Sequence, residues 1–258
     1  MLSGLGVLSD PYARQMLTPS MVAASRIVGH VPHRLFRRSV TLAGSAGSVL
    51  WFDATLTAAL DDGIGQVATI GAGYDSRASR FARDDVRFFE LDHAASQLEK
   101  VAAAPCPGPV YVEADLRADS AAAALLTAGV DASEPVIFVV ESVTMYLTED
   151  AVRRQFAELA KAAAKGSQLA VNFLPASPPP TAQHRRQLRL QRMARVGSGE
   201  SSRLGVDPDE AAALVESTGW SVRERTSFRD AARALVPKGT GLPVDAIDER
   251  KTLVLGVT

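Results

Sequence analysis

An α/β fold built on a mostly parallel sheet is predicted by three features of this 258-residue sequence. Short β-branched and aromatic runs alternate with Ala-rich stretches of helical length, as βαβ units require. The first of these runs leads into a glycine turn, "GAGYDS", at residues 71–76. The next three end in Asp92, Asp115 and Glu141, each about one βα unit beyond the last.

The N-terminal portion, residues 1–65, reads as a helical cap. In "SDPYARQML", Ser9 or Asp10 can act as N-cap with Pro11 at the first helical position. "GSVLWFDATLTAAL" carries apolar residues at helical spacing and stops at "DDGIG". Strands follow at "QVATIG", "VRFFELD", "VYVEADL" and "VIFVVES". "DSAAAALLTAGV" is the helix before the fourth strand, ending at Gly129, and "TEDAVRRQFAELAKAAAKG" is the helix after it. There Thr148 is the expected N-cap and Gly166 the expected C′ residue. "SQLAVNFL" is the fifth strand, and "PASPPPTA" breaks the pattern. A basic helix, "QHRRQLRLQRMARVGSGESS", leads to a capped helix, "DPDEAAALVESTGW". "KTLVLGVT" reads as a final, antiparallel strand. No internal repeat or second core emerges, so residues 1–258 are expected to form one domain. Its parts are the cap, a ligand-binding core over 66–174, a substrate-covering insertion over 175–205 and a C-terminal part of the sheet over 206–258.

Composition narrows the function. The chain is 47% hydrophobic and 22% charged, ordinary for a globular protein. A net charge of −1 gives no electrostatic basis for binding nucleic acid or a membrane surface. The single cysteine, Cys106, excludes an intramolecular disulfide and a thiolate metal cluster, and no metal is expected. The first residues lack a basic-then-apolar pattern, and no apolar run is long enough to span a bilayer. A cytoplasmic protein with a small-molecule partner is expected, and a homodimer remains open.

Ligands of open α/β sheets bind outside the carboxyl ends of the strands. Right-handed crossovers bring the glycine turn and the three carboxylates to one such edge. Each acid alone could be a helix cap or a solvated turn residue, and each glycine could merely supply a positive φ. In register, they point to a nucleoside-type ligand. The dinucleotide fingerprint needs a third glycine where Ser76 stands, and no triphosphate-binding lysine motif is present. A phosphate-free nucleoside removes both needs. S-adenosylmethionine offers hydroxyl and amino donors to carboxylates and a positive sulfonium, whereas NAD would bring negative charge against Asp115 and Glu141.

"TIGAGYDSRASRF", "FELDHAASQLEK" and "ESVTMYLTEDAV" together resemble the signatures of the leucine carboxyl methyltransferase-like family, from about Asp10 to Phe173. That family includes mycobacterial S-adenosylmethionine-dependent methyltransferases and carboxyl O-methyltransferases of tetracenomycin-type polyketide pathways. The resemblance implies a class I methyltransferase fold: Rossmann-like, seven-stranded, mostly parallel, the last strand antiparallel, with an N-terminal helical cap. It implies that Gly71 and Gly73 pass under the methionine part of the donor. Arg77 and Arg80 would brace the turn, Asp92 would take the ribose hydroxyls, and Asp115 with Leu116 would face the adenine. Glu141 would lie near the methionyl amino group. Ala72, Asp75, His93 and Ser142 complete the implied cofactor-binding set, and Tyr146 would lie near methyl transfer. The family commonly has an arginine five residues before the aspartate matched by Asp53, and here that position is Ser48. Arg26, Arg37 or Arg38 are its candidate substitutes. Ala94 replaces a family proline.

The acceptor sets the remaining chemistry. A carboxylate is ionised at neutral pH and needs only orientation and desolvation, whereas a phenol gains from a general base. His33 and His184 are the candidate catalytic histidines beside Tyr146; His30 also lies in the cap. Arg37 and Arg38, with Arg185, Arg189 and Arg192 on one helical face, could instead pair with an anionic acceptor or simply be solvated. A methyl ester on a natural-product-like acid is the first expectation. Phenol methylation and a non-catalytic S-adenosylmethionine-binding module are the alternatives.

Overall fold

The computed structural model describes residues 2, 5–13, 15, 38–102, 108–176 and 204–258. Seven strands form one sheet: β1 (Gln66–Ile70), β2 (Arg87–Asp92), β3 (Val110–Glu113), β4 (Val136–Val140), β5 (Gln168–Phe173), β6 (Ser221–Ser227) and β7 (Thr252–Val257). Their order is β3-β2-β1-β4-β5-β7-β6. The ladders among β1 to β5 are parallel, and β7 runs antiparallel between β5 and β6.

Both faces of the central strands are covered, which explains their near-continuous apolar character. Along β4, Val136, Phe138 and Val140 join one core, while Ile137 and Val139 join the other. That is the two-residue alternation of a pleated strand. The first core lies under α4 (Ala121–Thr127), α5 (Glu149–Ala162) and α6 (Pro208–Ser217). The second lies under α1 (Val40–Asp61) and α7 (Phe228–Leu235), joined by Leu5 and Val7 of the N-terminal segment. The crossover between β1 and β2 contains only one helical turn, α2 (Arg77–Arg80), and α3 (Ala94–Val101) connects β2 to β3.

Several predicted ends hold. Thr148 caps α5 by accepting from the Ala151 N–H, and Asp207 and Glu210 form a reciprocal capping box on α6. Gly129 comes directly after the Ala128 C-cap of α4, at φ +99°. Three details differ. α1 begins at Val40 because the Ser39 hydroxyl accepts from the Leu42 N–H. α5 stops at Ala162, where Ala163 turns extended, so Gly166 (φ +91°) serves the turn into β5 and not the helix end. β6 and α7 carry no sequence expectation of their own. β6 is a largely exposed edge strand, so its "SVRERTS" lacks apolar alternation. At the N-terminus, Asp10 accepts from the N–H groups of Tyr12 and Ala13, but Pro11, Tyr12, Ala13 and Gln15 form bends and turns and not the expected helix start; residues 16–37 lie outside the described residues. No described helix is long and apolar enough to cross a membrane.

Candidate functional site

β1 and β4 are neighbours whose onward connections run to opposite sides of the sheet, so the crevice above their carboxyl ends is a topological switch point. The turn after β1 is stapled there: the Gly71 and Ala72 N–H groups both donate to Leu91 O, at 2.7 and 3.1 Å. Gly71 has φ +68°, and a Cβ on it would lie 2.4 Å from Val143 Cγ2. Packing inside the protein therefore demands this glycine, whether or not a ligand approaches it. Gly73 differs: at φ +46° its missing Cβ would meet nothing within 4 Å. Asp92, ending β2, accepts from the Gly73 N–H at 2.5 Å and the His93 N–H at 2.6 Å.

Arg77 organises the centre. It is 3% exposed, and its Nε, Nη1 and Nη2 donate to Asp53, Asp75 and Glu141 at 2.7, 2.6 and 2.7 Å. Arg80 adds two hydrogen bonds to Asp53 and one to Ser76 Oγ. Burial works against the Arg77 cation, but Asp75, Glu141 and Asp53 together raise its pKa above the ordinary value, so it stays charged. For Asp75, burial is outweighed by Arg77, Lys100 and Arg80, and the carboxyl is held below its usual range. For Glu141, burial prevails over Arg77 and the Ser48 hydroxyl, and the pKa rises. Ser48, at the position of the missing family arginine, donates to Glu141 Oε1 at 3.1 Å. Behind the turn, Lys100 and Glu90 form a buried pair at 2.6 Å.

Ser142, next along from Glu141, is the one described non-glycine residue with positive φ, at +59°. Its N–H donates to the Oδ1 of buried Asn172 at 2.6 Å. Backbone held in this region costs of order 1–3 kcal/mol and persists where surrounding bonds over-determine it.

These elements line an open cavity of about 310 Å³, the size of a small-molecule site. Gly71, Ala72, Asp75, Arg77, Glu141 and Ser142 line it, as do Asp10 and Ser76, which sequence reasoning did not select as binding residues. Gly73, Asp92, His93, Asp115, Leu116 and Tyr146 are not part of its lining. His93 caps α3, its Nδ1 accepting from the Ala95 N–H at 3.3 Å. Asp115 is hydrogen-bonded to the Arg117 side chain and N–H, which hold its pKa down to about 2. Leu116 O accepts from Gln155, and Tyr146 closes the 3-10 turn after β4. His30, His33, His184, Arg26, Arg37, Arg185, Arg189, Arg192 and Cys106 lie outside the described residues. Arg38 is described, as an exposed turn residue immediately before α1's cap.

The cavity's charge pattern decides what it fits. Arg77 and Arg80, the cations lining it among the described residues, are bonded to Asp53, Asp75 and Glu141, and with Asp10 the carboxylates in or behind the wall outnumber them. A pyrophosphate would meet no unengaged cation among these residues. A phosphate-free, positively charged ligand with hydroxyl and amino donors matches them.

A seven-stranded sheet with its last strand reversed and its cavity at the β1/β4 switch point is the architecture of the class I methyltransferases. Two solved structures share the fold at a TM-score of 0.60. One is a candidate methyltransferase from Thermobifida fusca (18% identity, covering 96% of this chain and 93% of that one). The other is a DUF574 family protein from Streptomyces avermitilis (19% identity, covering 84% and 82%). The leucine carboxyl methyltransferase family model matches residues 4–160, and the chain belongs to that family. A Mycobacterium bovis protein, named as a candidate S-adenosyl-L-methionine-dependent methyltransferase, is 30% identical over 215 residues, or 80% of this chain and 68% of its own length. One from Mycobacterium avium with the same description is 31% identical over 234 residues, or 86% and 72%.

Proposed function

We propose that the protein is an S-adenosylmethionine-dependent O-methyltransferase that converts a small anionic acceptor, a carboxylic acid of natural-product type, to its methyl ester. The observation that carries the donor assignment is the cavity beside the Gly71–Gly73 turn, lined by Asp10, Asp75 and Glu141 with Arg77 and Arg80 already bonded to carboxylates. When bound, S-adenosylmethionine supplies an electrophilic methyl carbon on a positive sulfur. Gly73 leaves room above the turn, and Asp92, already oriented by two backbone N–H groups, keeps lone pairs for ribose hydroxyls. Glu141, oriented by Arg77 and Ser48, faces the cavity as an acceptor for an ammonium group. Asp115 and Leu116 flank the adenine side.

A carboxylate acceptor is favoured because its oxygen is already a nucleophile at neutral pH and needs no base. His93, the histidine among the described residues, is committed to capping α3, and the cavity lining holds no histidine among those residues. The family's name, which refers to carboxyl methylation, supports the same reading. In this reading Tyr146, in the turn after β4, belongs to the acceptor side. A phenol acceptor served by His33 or His184 is the second reading. Incubating the protein with methyl-labelled donor and a panel of carboxylic acids and phenols tests both. Base-labile labelled ester on an acid supports the proposal; alkali-stable ether on a phenol replaces it with the second reading. Donor binding without transfer to any acceptor leaves a sensor.

A further inference from the structure

Asp10 lies in the N-terminal segment, far in sequence from the glycine turn, yet it lines the same cavity. The segment is anchored independently: Leu5 and Val7 are buried in the core that α1 covers. Asp10 Oδ1 accepts from the Tyr12 and Ala13 N–H groups at 3.0 and 2.9 Å, which fixes the carboxylate locally. Its Oδ2 is directed elsewhere, accepting from Ser76 Oγ at 2.7 Å.

Ser76 is buried and immediately precedes α2. A hydroxyl has a single hydrogen to donate. In Ser76 that hydrogen goes to Asp10, while Oγ accepts from Arg80 Nε at 3.0 Å. Arg80 in turn grips Asp53, which Arg77 links to Glu141. One hydrogen-bonded chain thus joins the N-terminal segment to the turn after β1, to α1 and to the end of β4. Every one of these elements contributes to the cavity wall.

We propose that Asp10 is a positioning residue for the methyl donor. Through Ser76 it holds the N-terminal segment against the glycine turn as one wall of the donor cavity. The inference rests on the S-adenosylmethionine reading given above. It predicts that losing the Asp10–Ser76 bond loosens donor binding without unfolding the protein, because Leu5, Val7 and the Arg77 network stay in place.

The test is a double-mutant cycle on the full chain: wild type, Asp10→Ala, Ser76→Ala and the double variant, each titrated calorimetrically with S-adenosylhomocysteine and melted without ligand. Each single variant is expected to bind about tenfold more weakly, and the loss in the double variant should fall short of the product of the two, since the Asp10–Ser76 bond is common to both while Ser76→Ala also removes the acceptor of Arg80 Nε. The KM for the donor should rise while the KM for the acceptor stays unchanged, a split that general destabilisation would not give. Ser76→Ala leaves the Asp10 turn contacts intact, so its result decides the matter even where Asp10→Ala folds poorly. Wild-type binding with unchanged affinity in Ser76→Ala, or losses that multiply in the double variant, would overturn this proposal alone. Absence of binding by wild type would overturn the donor reading as well.

Discussion

Arg77 Nη2 lies 2.7 Å from Glu141 Oε2, tying the turn after β1 to the carboxyl end of β4 across the switch point. The same guanidinium holds Asp53 on α1 and Asp75 in the turn. A planar cation with several fixed donors can serve three carboxylates at once, and lysine, with a compact ammonium on a flexible stem, cannot reproduce that geometry.

Removing the cation should therefore be costly. Arg77→Met would leave Asp53, Asp75 and Glu141 close together with their common partner gone. We expect a loss of about 3–5 kcal/mol in urea unfolding, the range for breaking a buried ion pair. Arg77→Lys should recover only part of it.

The two glycines of the turn should respond differently. Gly71→Ala places a methyl group against Val143 at positive φ, so its melting temperature should fall while any affinity that remains reports the fold. Gly73→Val points into open space and carries only the backbone cost of about 1–2 kcal/mol for a left-handed residue. It should remain folded and lose binding of S-adenosylhomocysteine.

Ser142 offers a test of stored backbone strain. Ser142→Gly should be neutral or stabilising in urea unfolding, because glycine adopts φ near +59° without a Cβ penalty. Ser142→Val should destabilise by about 1–3 kcal/mol. Equal stability of the two variants would contradict the observed conformation.

Stability should also depend on pH through Glu90. Burial raises its pKa to about 7, against 4.5 ordinarily, although Lys100 offsets part of the effect. The native state then holds a proton that the unfolded chain releases. This contribution is full below pH about 4.5 and is lost as pH rises through about 7. Replacing both partners, Glu90→Leu with Lys100→Leu, should flatten the decline, as read from denaturant midpoints across that interval. A decline unchanged in the double variant would assign it to other groups.

Much of this architecture is legible in the residues. β1, β4 and β5 announce themselves because strands covered on both faces are mostly apolar, β2 by Phe88, Phe89 and Leu91, and Thr148 and Asp207 mark helix starts by side-chain chemistry that acts within three residues. β6 is not legible, because an exposed edge strand has no buried face to impose a pattern. For α7 a signal existed: Ser227 with Asp230 three residues later is a helix-start pair, and the Ser227 hydroxyl does accept from the Asp230 N–H. In the site, the glycines and the strand-end acids stand out by position. The partners of those acids do not, since Ser48 reaches Glu141 and Asp10 reaches Ser76 only through the fold. Asn172 could have been found as an amide next to the carboxyl end of a strand that is apolar from Leu169 to Val171.

Asp92 bears most directly on the donor assignment. Calorimetric titration of the purified wild-type chain and of Asp92→Ala with S-adenosylhomocysteine measures it. We predict one site on the wild type and a strong loss in the variant, since each hydrogen bond to a charged group is worth about 1.5–3 kcal/mol. A wild-type chain that takes up neither this product nor S-adenosylmethionine, or an Asp92→Ala variant that binds as tightly as wild type, would contradict it.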